Sequence, residues 1–145
     1  KVLESICERQ WQFDLFRSQL MPQMAIGEVT VKKQGSSGST TILEITAEVS
    51  NEGKLPTGLQ KTEQMAFNRG DVVWLAGPTD KLTFISGSAW EKLGNLSGTM
   101  AIPGFKDPKG NKRTGRGVVA VEGHETSKVV ASSLKGGTVM KEVNY

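Results

Sequence analysis

Apolar and polar residues alternate along "TTILEITAEVS", residues 40 to 50, with Leu43, Ile45, Ala47 and Val49 on one side and Glu44, Thr46 and Glu48 on the other. A period of two marks a strand with one buried face. The preceding "AIGEVTVKK" alternates as well, and the Gly/Ser tract "QGSSGST" between the two reads as a flexible loop. "DVVWLAG" is short, apolar and β-branched, as a buried strand is, and "KLTFISG" follows it across a Gly-Pro turn. Three more candidates follow: "GVVAVEG", "SKVVASSL" and "TVMKEVNY". The last two meet across Lys135, Gly136 and Gly137, and such a glycine pair supplies the positive φ of a tight hairpin.

The first twenty residues follow another pattern. "KVLESICERQWQFDLFRSQL" contains no Gly or Pro and reads as one helix, ended where Pro22 disfavours a helical Met21. At about 100° per residue, Val2, Ile6, Phe13, Phe16 and Leu20 form one apolar stripe. Leu3, Cys7, Trp11 and Leu15 form a second band on the other side. One stripe is enough to lie on a sheet, so two predict a helix covered on both sides.

One helix followed by about seven short strands predicts a mainly β fold, an antiparallel β-sandwich. Residues 1–22 would be a connecting helix packed on the sandwich, and residues 23–145 the sandwich domain. Within it, "LQKTEQMAFNRG" is ambiguous between a short helix and an irregular crossover. "LGNLSGTMAIPGFKDPKGNKRTGRG" holds six of the seventeen glycines and reads mostly as loop. In "SNEGKLPTGLQ" a strand stops and an extended segment starts: Gly53 is expected at positive φ, following Asn51, and Pro56 keeps Leu55 extended ahead of Thr57.

Composition narrows the chemistry. The 145 residues, 37% of them hydrophobic, suit one core. The net charge of +3 is local, because Lys106, Lys109, Lys112, Arg113 and Arg116 crowd one segment that reads as a solvated, dispensable loop. Only Phe105 accompanies this cluster, so no stacking platform suggests a nucleic-acid partner. No apolar run reaches the roughly 18 residues that span a bilayer. A lone cysteine, Cys7, forms no internal disulfide and reads as a small hydrophobe of the helix. The lone histidine, His124 in "EGHET", is too little for a catalytic zinc site, which takes about three protein ligands. No Gly-x-Ser-x-Gly elbow presents a nucleophilic serine, and "GSSGST" lacks the lysine and following helix of a phosphate loop. By elimination the chain reads as non-catalytic and free of cofactors.

Four segments taken in order, "CERQWQFDLFRSQLMPQMAI", "VSNEGKLPTGLQ", "FISGSAWEKLGNLSGTM" and "VVASSLKGGTVMKEV", cover nearly the whole chain. Their succession resembles the C-terminal segment of bacterial M14-type zinc carboxypeptidases, in which an aromatic-rich helix leads from the catalytic domain into a β-sandwich. The resemblance rests on Asn51, Gly53 and Leu55-Pro56-Thr57, on Leu93, Gly94 and Gly98, and on the closing Gly136-Gly137 turn. It implies an accessory domain that supports the stability or substrate access of an upstream catalytic domain. That domain would carry the zinc and the catalytic residues, be the partner of Leu3, Cys7, Trp11 and Leu15, and be extracellular or periplasmic. The chain's start at Lys1 fits a piece of a longer polypeptide. The alternative is a free-standing cell-surface adhesion or ligand-binding sandwich, since fold alone does not choose between them.

Overall fold

The computed structural model describes residues 2–65, 69–77, 81–86, 90–100, 110–123 and 126–145. A helix, α1 (Val2–Leu20), leads into β1 (Met24–Ser37) and β2 (Thr40–Asn51), and a short 3-10 helix (Gln60–Gln64) follows. The remaining strands are β3 (Asp71–Ala76), β4 (Leu82–Ser86), β5 (Trp90–Gly94), β6 (Lys112–Glu122), β7 (Thr126–Ser133) and β8 (Gly137–Asn144). They form two antiparallel four-stranded sheets, ordered β1-β2-β6-β4 and β5-β3-β7-β8. The mainly β sandwich is therefore as its pattern predicts, with eight strands among the described residues in place of about seven.

Alternation explains why the sheets face each other. Leu43, Ile45, Ala47 and Val49 of β2 are buried and share the core with Val119 and Val121 of β6 and with Val73, Val129, Ala131 and Val143 from the opposite sheet. Burying such side chains is worth about 1.5–3 kcal/mol each before ordering costs are subtracted. One side of the sandwich is closed by hydrogen bonds between the sheets: the Met24 N–H donates to the Gly136 carbonyl at 3.0 Å, and the Lys141 side-chain Nζ to the Gly27 carbonyl at 2.6 Å. Strands β4 and β5 border the other side.

The outer faces differ. On the first sheet, Arg116 Nε meets Glu44 at 3.0 Å, Lys112 Nζ meets Glu48 at 2.9 Å, and Gln34 donates to Glu44 at 2.7 Å. On the second, Trp90, Trp74, Val130 and Met140 lie in register across all four strands. The two indoles stack at 4.5 Å, and Trp90 and Met140 are exposed.

Three local expectations are corrected. Half of the Gly/Ser tract belongs to β1, which extends to Ser37 by shifting register between Lys33 and Gly35 and leaves only Gly38 and Ser39 as the turn. Lys112, Arg113 and Arg116 are strand residues of β6, because β2 offers Glu44 and Glu48 across the ladder; Lys106 and Lys109 lie outside the described residues, as does His124. "WEKLG", to which the pattern assigns no element, forms β5, and within the ambiguous "LQKTEQMAFNRG" the residues Gln60–Gln64 form the 3-10 helix. The largest correction concerns α1. It is not packed on the sandwich: none of its residues is buried, and Leu3, Trp11, Phe13 and Phe16 are all more than half exposed. Its apolar groups ring the helix, so no single stripe directs it onto a sheet.

Candidate functional site

Asn51 ends β2, and its side chain is fully buried. Its Oδ1 accepts the N–H of Gln23 at 2.9 Å and of Gly53 at 3.0 Å, while Nδ2 donates to the carbonyls of Leu55 at 2.8 Å and Ser97 at 3.0 Å. Both halves of the amide are thus engaged, joining the start of β1, the turn after β2 and the segment after β5. Asn111 adds a further link, accepting the Asn51 N–H at 2.9 Å and donating Nδ2 to the Asn51 carbonyl at 3.2 Å. A hydrophobic residue at position 51 would leave buried N–H and C=O groups unpaired, at about 1–3 kcal/mol each.

The two glycine-containing motifs lie against each other. Thr57 N–H donates to the Leu96 carbonyl at 2.9 Å, Thr99 N–H to the Gly53 carbonyl at 2.9 Å, and Met100 N–H to the Lys54 carbonyl at 3.2 Å. Gly98 is required by this approach, since a Cβ there would sit 2.6 Å from the Leu55 carbonyl carbon. Gly53 answers to a similar constraint. Its φ is not positive, contrary to expectation; a Cβ would instead lie 2.6 Å from Pro22 Cα and 2.7 Å from the Gln23 nitrogen. Gly94 does adopt a positive φ, 76°, where β5 pairs with Asp71.

Beneath the motifs lies a buried carboxylate that the sequence reading missed. Asp71 is 2% exposed at the start of β3, and its Oδ2 accepts the hydroxyl of Thr57 and the Leu96 N–H at 3.1 Å. Leu96 N–H is also shared with Thr57 Oγ1 at 2.8 Å. Burial pushes the Asp71 carboxyl above its usual range, opposed by the hydrogen bonds of Thr57, Ser133 and Leu96 and by the Arg69 charge. Arg69 Nη2 itself donates to Ser132 at 3.1 Å. Asn95 completes the network with Nδ2 donating to the Leu59 carbonyl at 2.9 Å and to Thr62 at 3.1 Å. The available signal was an aspartate opening an otherwise apolar strand, a place where a charge persists only with partners.

Asn51, Gly53, Leu55, Pro56, Thr57, Leu93, Gly94 and Gly98 therefore come together at one end of the sandwich. Gly136 and Gly137 occupy the β7–β8 turn as expected, Gly137 at φ 81°, and Gly136 touches the hub's neighbour Met24. Leu3, Cys7, Trp11 and Leu15 remain exposed on α1. The helix meets the hub through the Leu20 carbonyl, which accepts the Leu55 N–H at 2.9 Å. Among the described residues no three His, Cys, Asp or Glu side chains gather as metal ligands, and no helix is long and apolar enough to cross a membrane. The cluster's donors and acceptors face one another, so its chemistry is cohesion between chain segments.

No curated protein and no solved structure is significantly similar to the chain. A family match covers residues 23–144, beginning where α1 has ended and taking in every strand. The chain belongs to the family described as Domain of unknown function (DUF8731).

Proposed function

We propose that the chain is a non-catalytic accessory β-sandwich of a zinc carboxypeptidase, supporting the stability or substrate access of a catalytic domain in the same polypeptide. One observation carries the reading: Asn51, Gly53, Leu55 and Thr57, on which the carboxypeptidase resemblance rests in part, take part in one buried hydrogen-bonded hub, as signature residues of a scaffold do. The exposed bands of α1, with Leu3 at 73% and Trp11 at 63% exposure, offer a surface for that second domain. Zinc and the peptide-cleaving residues belong, on this reading, to the catalytic domain, outside the cytoplasm. The alternative, a free-standing binding module, draws on the Trp90–Trp74–Val130–Met140 row, in which Trp90 and Met140 are exposed, since aromatic residues are enriched at binding interfaces.

The test compares this chain with the polypeptide of its complete reading frame, using metal analysis after dialysis and release of C-terminal residues from peptides. The reading expects zinc and hydrolysis in the complete polypeptide and neither in residues 1–145 alone. Tightly held zinc with activity in the isolated chain, or a complete polypeptide of tandem sandwiches without either property, would overturn it.

A further inference from the structure

Glycine in a strand interior weakens the strand by about 0.5–1 kcal/mol relative to alanine, so its presence asks for a structural reason. Gly115 of β6 has one: a Cβ there would lie 2.5 Å from Val73 Cγ1. Gly117, two residues on and facing the same way, has none. Its φ is not positive, and a Cβ would meet nothing within 4 Å. With Ile45 opposite it on β2 and Ala47 opposite Gly115, the missing side chain leaves a hollow between the sheets on the β4–β5 side, about 40 Å³ in volume. Its walls are apolar, including Ile45, Leu75 and Phe84, of which Leu75 and Phe84 are only half-buried.

At the rim stands one carboxylate. Glu91 pairs with Val73 in the ladder and so points between the sheets from an edge strand, where inward charges also discourage further strand pairing. Its Oε2 accepts the Arg116 N–H at 2.6 Å, ahead of Val118, where the β4 pairing ends. A carboxylate has room for further donors beyond that single N–H. Arg116's guanidinium is directed to Glu44 on the outer face, at 3.0 Å. The hollow thus combines an apolar interior, of the kind that stays dry and admits small apolar molecules, with an anionic rim.

The geometry points to a binding site for a short branched aliphatic amine, its alkyl group in the hollow at Gly117 and its ammonium on the Glu91 carboxylate. About 40 Å³ takes roughly two buried carbons, such as the two methyls of an isobutyl group. Such a group arises either as a free amine or as the N-terminal leucine of a peptide, whose α-ammonium and side chain share that chemistry. The site is remote from the Asn51 hub and independent of the carboxypeptidase reading.

The test is an amide-shift titration of the whole chain with isobutylamine, isobutanol and leucine amide. Isobutylamine is expected to give saturable shifts at Gly117 and Leu75, about tenfold tighter than isobutanol because only the amine pairs with Glu91. Leucine amide binding more tightly than isobutylamine assigns the peptide source, and weaker binding assigns the free amine. Gly117→Val should abolish binding while leaving the thermal midpoint at or above that of the wild type, since the new side chain fills space. Gly117→Ala should weaken binding in part, and Glu91→Gln should remove the preference for amine over alcohol. Absence of saturable shifts with isobutylamine, equal affinity for the alcohol, or binding that survives both Gly117 substitutions would overturn the proposal.

Discussion

Gly53 shows how a single residue can be essential for a reason other than backbone freedom. Sequence context suggests a left-handed turn, yet the structure places the glycine where the chain at Met21, Pro22 and Gln23 crosses it. The two explanations predict different substitution series. A left-handed position tolerates asparagine better than alanine, whereas a close approach penalises whatever is larger. We predict that Gly53→Ala lowers unfolding free energy by about 1–3 kcal/mol and Gly53→Asn by at least as much, measured by urea denaturation. Asparagine milder than alanine would restore the turn explanation. Asp71 makes a second residue-scale prediction. Its carboxyl titrates above the ordinary 3.8 in the folded chain because burial disfavours the anion, so folding is penalised at pH values above the folded pKa. As pH falls through that folded value towards 3.8 the penalty is relieved, and this group's contribution to stability rises. The difference in unfolding free energy between wild type and Asp71→Asn should therefore shift in favour of wild type on acidification from neutral pH. A shift in the opposite direction would mean that the hydrogen bonds and Arg69 outweigh desolvation.

Elements differ in how openly they announce themselves. β2 was legible because its apolar residues fall at strict alternation and all four are buried. α1 was legible as a helix, but its lack of cover was not: apolar residues on both sides say that cover is wanted, and say nothing of whether this chain supplies it. β5 was hidden because its charged Glu91 faces between the sheets while Trp90 faces out, inverting the usual pattern in a five-residue strand. β6 begins with "KRTGRG", a composition that reads as loop until β2 supplies its acidic partners. The consequence is measurable. Replacing residues 111–116 with a Gly/Ser segment should cost about 2 kcal/mol or more, because it removes strand-forming side chains and the Asn111 bonds to Asn51. A change below about 1 kcal/mol, the range of a flexible loop, would restore the loop reading.

At the scale of the molecule, the hub and the helix divide the labour. The motif residues close one end of the sandwich, and the family match, beginning at residue 23, leaves α1 outside its span. The convergence of the motifs was not legible in sequence, because Asn51, Asp71 and Leu96 are far apart in the chain and only the sheet topology brings them together. Exposed aromatic bands on a 19-residue helix make it marginal in water without tertiary cover. The account's central claim is that this cover comes from a second domain of the same polypeptide. Hydrogen exchange at the amides of residues 6–19 tests it most directly, compared between the isolated chain and the polypeptide of the complete reading frame. The account predicts exchange within about tenfold of the unprotected rate in the isolated chain, and slowing by at least about a hundredfold in the complete polypeptide, while β2 stays protected in both. Equal exchange of the helix in the two would contradict it.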